Sequence, residues 1–248
     1  MVLEIIPYST EWEEKWNRFV LNDSVNGTFL QTRNFLNYHP EGKFEDTSLI
    51  VVNKSNIVAV IPACVSEEAE GKCFYSHKGS TFGGIILDKQ KYKISTMEEL
   101  YPCLERYLRE KKFYSIYIKN TSDIFSKERN DLFDYYFYKN DYDTINEVSF
   151  YINCEGINEK DITSTWSSGR RRDYRYSLNS ELNFRHIEDD AELNSFYMIL
   201  EKNLLRHDAK PVHTLEELIE LDVLYARFSN QRIFSGIRCI GRWNPLDS

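Results

Sequence analysis

Apolar positions along the chain change period repeatedly, and each change marks an element. Leu3-Glu4-Ile5-Ile6 reads as a short strand stopped by Pro7. Ser9 or Thr10 caps a helix whose Trp12, Trp16, Phe19 and Val20 fall at helical spacing, and Asn26-Gly27 breaks it. Residues 32–38 give a second short helix, with Phe35 and Leu36 inward, ended before Pro40. Residues 48–52 and 57–65 read as strands joined by a turn at Lys54-Ser55-Asn56. Glu67-Glu68-Ala69-Glu70 is a solvated hairpin tip, Cys73-Phe74-Tyr75 a third strand, and residues 83–87 a less regular fourth. Thr96 with Glu99 forms a capping box that opens a helix to about Lys111, with Leu100, Leu104, Tyr107 and Leu108 on one face. A strand over 113–118, a helix over 131–138 and a strand over 148–152 complete this half.

The second half starts again. Residues 163–182 are helical and 184–187 form a strand. A helix begins near Asp189, with Leu193, Phe196, Tyr197, Leu200 and Leu204 on its apolar face. Thr214 and Glu217 make another capping box, for a helix to about Leu224. Residues 227–229 and 233–240 read as strands joined by Asn230-Gln231. The boundary falls in 156–161, giving units 1–155 and 160–248 that share an order of elements but no sequence repeat.

Composition narrows the classes. With 42% apolar and 15% aromatic residues, the 248-residue chain is too apolar for disorder and long enough for a sizeable core. No run of eighteen apolar residues exists, and the N-terminal stretch lacks the basic and apolar character of a signal peptide. A net charge of −8 argues against non-specific attraction to nucleic acid or an anionic membrane. The five cysteines are scattered, without a CxxC pair, which excludes a disulfide framework or zinc ribbon and fits a cytoplasmic protein. No metal-ligand spacing occurs, and HExxH, GxSxG and Walker A motifs are missing. Frequent Asn, Lys, Ile and Tyr with rare Ala suggest AT-rich coding, as in many bacteria.

The first half's element order resembles the GNAT acyltransferase fold. Two such units joined by an Arg-rich helix resemble the FemAB-like branch of that superfamily. Gly27-Thr28-Phe29-Leu30-Gln31-Thr32 followed by Phe35-Leu36 is similar to the family's F-x-Q-(S/T)-x-x-W/F opening. Ser48-Leu49-Ile50-Val51 and Ala59-Val60-Ile61-Pro62-Ala63 are similar to its first hairpin. Residues 76–84 stand where the family places a glycine-bearing segment facing substrate. Arg170-Arg171-Arg172-Asp173-Tyr174-Arg175-Tyr176 resembles the basic helix opening its second unit.

The resemblance implies an α/β (α+β layered) chain: a GNAT-like mixed sheet with flanking helices, plus a partial second GNAT-like unit. It implies acyl or aminoacyl transfer to an amine or hydroxyl of a cell-envelope or polysaccharide precursor. Acyl-CoA or aminoacyl-tRNA would be the donor, with no metal. Implied partners are a small-molecule or precursor substrate, with or without a nucleotide link, and tRNA. One family feature is missing. The Q/R-x-x-G-x-G/A pyrophosphate turn has no counterpart in Lys91-Tyr92-Lys93-Ile94-Ser95-Thr96. The second unit stops before such a loop, which implies a truncated chain or a rudimentary unit, and an open sheet edge suited to self-association.

Candidate residues follow. Arg170 to Arg175 carry +3 in six residues, and Arg170/Tyr174, Arg171/Arg175 and Arg172/Tyr176 share helix faces. Guanidinium forks suit phosphate oxygens, so Arg170, Arg171, Arg172 and Tyr176 are candidates for a pyrophosphate or tRNA backbone; the alternative is a solvated face paired with acids such as Asp161. Residues 76–84 hold three glycines, and Ser80, Thr81, Gly83 and Gly84 are candidates for an anion or oxyanion cradle. The alternative is a bulge and turn solving a backbone problem. His77 is the candidate general base. His39, Arg206 and His213 are candidate acceptor contacts, the alternative for 206–213 being a solvated connection between helices, while His186 reads as a strand residue. Two further readings stand beside the transferase: a non-catalytic sugar-nucleotide or partner-binding module, and a scaffold within a biosynthetic complex.

Overall fold

Leu49-Ile50-Val51-Val52 and Val58-Ala59-Val60-Ile61 are apolar at every position, where a half-solvated strand would alternate. The computed structural model explains why: both runs are covered on both faces. It describes residues 2–129, 131–148, 150, 156–158, 162–180, 184–187, 189–227 and 239–241. The chain divides into two units, Met1–Ile145 and Asn146–Ser248.

In the first unit, β1 (Glu4–Pro7) leads to α1 (Glu13–Arg18), α2 (Arg33–Leu36), β2 (Leu49–Asn53), β3 (Asn56–Ile61), β4 (Ala63–Glu68), β5 (Gly71–Ser76) and β6 (Ile86–Leu87). Then come α3 (Ile94–Glu110), β7 (Ser115–Tyr117) and α4 (Asp131–Lys139). One sheet has the order β1-β2-β3-β6, antiparallel throughout. Its register places Ile50 opposite Val60, and Val60 opposite Ile86. These residues pack with Val52 on Trp16, Phe19 and Val20. The alternate positions, Leu49, Val51, Ala59 and Leu87, pack with Met97, Leu100 and Leu104 of α3 and Phe133 of α4. At roughly 25 cal/mol per Å² of apolar area, this two-sided burial is the unit's main stabilisation.

The single strand expected over 57–65 is two strands in two sheets. Pro62 lacks an N–H and breaks the ladder. Beyond it, β4 pairs with β5 antiparallel, and β5 pairs with β7 in parallel, Phe74 opposite Ile116. The capping box expected at Thr96 is not formed. Lys93 is the extended N-cap residue, so Thr96 lies inside the first turn, buried, with its hydroxyl lacking a hydrogen-bond partner among the described residues. Of residues 83–87, only Ile86 and Leu87 are strand. Of the strand expected over 148–152, Val148 and Phe150 carry none and the other positions lie outside the described residues.

The second unit contains α5 (Ser168–Leu178), β8 (Phe184–His186), α6 (Asp190–Leu205), α7 (Leu215–Arg227) and β9 (Cys239–Gly241). β8 and β9 are antiparallel, with His186 opposite Cys239. The Asp189 carboxylate accepts the Glu192 N–H at 2.8 Å and starts α6. The Thr214 box is complete: Thr214 N–H donates to Glu217 Oε2 at 2.8 Å and Glu217 N–H to Thr214 Oγ1 at 3.2 Å. Arg227, expected in a strand, belongs to α7; residues 228–238 lie outside the described residues.

Candidate functional site

The first unit's pocket is built around a charge that sequence reading left on the surface. Thr32 caps α2 through the Phe35 N–H, and Arg33 begins that helix. The Arg33 side chain is only 4% exposed. Its Nη1 donates to Ser48 Oγ at 3.1 Å, and its Nη2 donates to Asn37 Oδ1 at 2.7 Å and to the Asp46 carboxylate. The guanidinium also lies 3.8 Å from the ring centre of Tyr8. Burial pushes the Asp46 carboxyl up, but Arg33 and the Ser48 N–H, which donates to Oδ1 at 2.8 Å, more than offset this and hold it below the usual range. Burial raises the Tyr8 phenol, against the pull of Arg33.

Above this pair, Phe44 contacts both His39 and His77, with ring centres at 5.0 Å and 5.2 Å. His77 follows β5 directly and is 3% exposed. Desolvation, only partly opposed by Asp46, lowers its pKa to about 4. Its Nδ1 accepts the Gly79 N–H at 3.1 Å, so the neutral ring carries its proton on Nε2. His39 Nε2 lies 2.9 Å from the Gly79 carbonyl and donates to it. A Cβ at Gly79 would come within 2.3 Å of that nitrogen, which explains the glycine. Together with Asn37 and Glu41 these residues line an open pocket of about 330 Å³.

The glycine-bearing segment is held by its neighbours. Gly83 N–H donates to Lys119 O at 3.1 Å, and Gly84 N–H to Ser76 Oγ at 3.2 Å. Ser76 Oγ also accepts the Lys119 N–H at 2.8 Å, so one hydroxyl ties the ends of β5 and β7 to this segment. Gly84 has φ +77°, where a Cβ would also press on Asn120. Gln31 braces the segment from the opposite side. Its Nε2 donates to Gly83 O at 3.2 Å and Thr121 Oγ1 at 2.8 Å, while its Oε1 accepts the Thr28 N–H at 2.7 Å. Ser80 Oγ sits 3.1 Å from Leu30 O and 2.8 Å from Phe82 O; Thr81 is exposed. The N–H groups of Gly83 and Gly84 are therefore engaged within the fold.

In the second unit, α5 has no buried residue. Arg170, Arg172 and Tyr176 are exposed and Arg171 is half-buried. Arg171 Nη1 reaches Ser164 O at 3.4 Å, and Arg172 Nε lies 3.5 Å from Asp173. Asp161, the acid expected beside this helix, lies outside the described residues. Arg206 ends α6, exposed. His213 is half-buried, with Nδ1 4.0 Å from Glu217 and its carbonyl accepting the Tyr197 hydroxyl at 3.0 Å. The side chain of His186 lies outside the described residues.

Sequence reading missed Arg33, Phe44 and Asp46. Two weak signals were present. An arginine stands four residues before Asn37 beside the apolar Phe35-Leu36 pair, and Asp46 stands two before Ser48, the spacing of an Asx turn.

No family model and no curated protein matches the chain. Among solved structures, that of FemX matches with a TM-score of 0.56 and 13% identity, over 89% of this chain and 54% of that one. The fold is GNAT-like. The chain spans about half the length of the FemX chain. Smaller proteins match at lower similarity over part of this chain. A ribosomal-protein-alanine N-acetyltransferase from Brucella melitensis has a TM-score of 0.40 and 10% identity, covering 61% of this chain and 99% of its own. A GNAT family acetyltransferase from Staphylococcus aureus has 0.34 and 12%, covering 62% and 99%. Among the described residues, no helix is long and apolar enough to cross a membrane.

Proposed function

We propose that the chain is an acyl- or aminoacyltransferase of the FemAB type, acting on an amine or hydroxyl of a cell-envelope or polysaccharide precursor. The observation that carries this reading is the likeness in fold to FemX across 89% of the chain, both units included. In the proposed reaction the acceptor's nitrogen or oxygen attacks the carbonyl of an acyl-CoA thioester or an aminoacyl-tRNA ester. The new amide or ester forms as the C–S or C–O bond breaks, and the thiol or tRNA hydroxyl leaves. The acceptor's proton passes to solvent or to the leaving group. Arg170, Arg171 and Arg172 hold the donor's phosphates from an exposed helix face, with Tyr176 beside them. His77 takes a different part from the expected base. A ring with a pKa of about 4 and Nδ1 already accepting a hydrogen bond is a poor proton acceptor at neutral pH, so it positions the acceptor by donating from Nε2.

A second reading, the non-catalytic binding module, is favoured by the engagement of the Gly83 and Gly84 N–H groups, which leaves that segment without those donors for an oxyanion. Turnover separates the two. The purified chain is incubated with acetyl-CoA or charged tRNA and a panel of amino sugars and nucleotide-linked sugars. The transferase reading expects thiol release, or loss of charged tRNA, that depends on the acceptor. Saturable ligand binding with no turnover of either donor establishes the module instead.

A further inference from the structure

The pocket of the first unit has an uneven supply of hydrogen-bonding groups. His77 is 3% exposed and its Nδ1 is occupied by the Gly79 N–H, which leaves Nε2–H as the ring's remaining donor in the pocket that His77 lines. A ligand oxygen can accept from that N–H. Asp46 supplies the complementary group. Each of its oxygens already accepts one hydrogen bond, from Ser48 N–H and from Arg33, and each retains a further lone pair. Its side chain is 30% exposed, so those lone pairs can be reached. Phe44 adds an aromatic surface.

The charges decide what fits. Arg33 and Asp46 neutralise each other at the floor, and Glu41 adds a negative charge at the wall. A carboxylate or phosphate would meet Asp46 and Glu41, while the Arg33 guanidinium of the pocket lining is already paired with Asp46. An ammonium group would place its own donors against the His77 N–H. An uncharged group that both donates and accepts meets neither conflict. A sugar hydroxyl does so, and the C–H face of a sugar ring suits the Phe44 ring. About 330 Å³ lies at the lower end of the usual size of small-molecule pockets.

We infer that this pocket is a subsite for an uncharged sugar ring. His77 Nε2 donates to one of the ring's oxygens, and Asp46 accepts from a hydroxyl. This deepens the transferase reading and rests on it in one respect, that the sugar belongs to the acceptor.

The test is binding of three free sugars to the full chain, followed by ligand-detected NMR without any donor. N-acetylglucosamine is the uncharged probe, glucuronate the anionic one and glucosamine the cationic one. The expected result is saturable binding of N-acetylglucosamine with a Kd of roughly 1–10 mM, the range for a few hydrogen bonds and one ring contact. Binding should be insensitive to salt and at least tenfold tighter than for either charged sugar. His77→Phe should abolish it, and His77→Gln, which keeps an N–H donor, should retain part of it. Unchanged melting temperatures confirm that both variants fold; if His77→Phe does not, Phe44→Ala replaces it with the same expected loss. Tighter, salt-sensitive binding of glucuronate overturns the inference, as does tighter binding of glucosamine. So does no binding of any probe, or full binding by a folded His77→Phe protein. The assay reads no turnover, so transfer to other acceptors without sugar binding sinks this inference alone. Sugar binding without turnover sinks the transferase reading alone.

Discussion

At the residue scale, His77 is held uncharged by its surroundings, and that has a consequence in acid. Its pKa falls from 6.5 to about 4 on folding. Between those values the unfolded chain binds a proton that the folded chain does not. Its contribution is therefore constant above pH 6.5, declines as pH falls, and levels off below about 4, by roughly 3 kcal/mol in all. Asp46 acts in the next window down. Its folded pKa is below the ordinary 3.8, so its stabilisation is present above that value and is lost as pH falls further. Urea titrations at a series of pH values from 7 to 4 should show the midpoint falling, and His77→Gln should flatten that slope. A midpoint independent of pH in the wild type would show that the ring is not desolvated. Only weak signals of this stand in the sequence. Its glycine-rich neighbours mark His77, but its tautomer depends on a backbone N–H two residues on, and its pKa on burial in a site where Phe44 lies against it. Arg33 and Asp46 escaped notice because isolated charges are usually solvated, and only a partner thirteen residues away makes burial tolerable.

At the element scale, the alternation of buried faces was readable and the sheet boundary was not. The unbroken apolar runs in β2 and β3 state that both faces are covered, and α1 and α3 duly cover them. Pro62 was visible as a residue that cannot donate. What could not be read was that the chain would change sheets there, since that depends on β5 and β7 far along the sequence. Gln31 links such distant pieces. It ties the 28–31 turn to Gly83 and to Thr121, ninety residues on. The Phe29-Leu30-Gln31-Thr32 stretch thus has a structural reason in this chain: the amide spans a gap between elements that share no ladder. Gln31→Leu keeps the volume but strands the Gly83 carbonyl and frees the Thr28 N–H. A loss of roughly 2 kcal/mol is expected. Amide exchange should accelerate at Thr28 while the amides in the middle of α3 stay protected. Uniform acceleration across the unit would mean that Gln31 supports the whole core rather than this junction.

At the scale of the whole molecule, the charge distribution separates a local function from a global tendency. The chain carries −8 overall, yet α5 presents a +3 run on a helix with no buried side chain. With Arg172 exposed and Arg171 only half-buried, this helix face contributes little to packing, so Arg171→Ala with Arg172→Ala should change stability by no more than about 0.5 kcal/mol. Exposed cations on an acidic protein still attract phosphates over about one Debye length, roughly 8 Å at physiological salt. The double variant should therefore bind CoA or tRNA at least tenfold more weakly than wild type at low salt, and the difference should shrink as salt rises. Titration of both proteins at two ionic strengths decides this. Equal affinities would return the arginines to the role of a solvated face. A loss that persists at high salt would instead indicate bidentate contacts that salt does not screen, and would place these guanidinium groups against the donor's phosphates rather than merely near them.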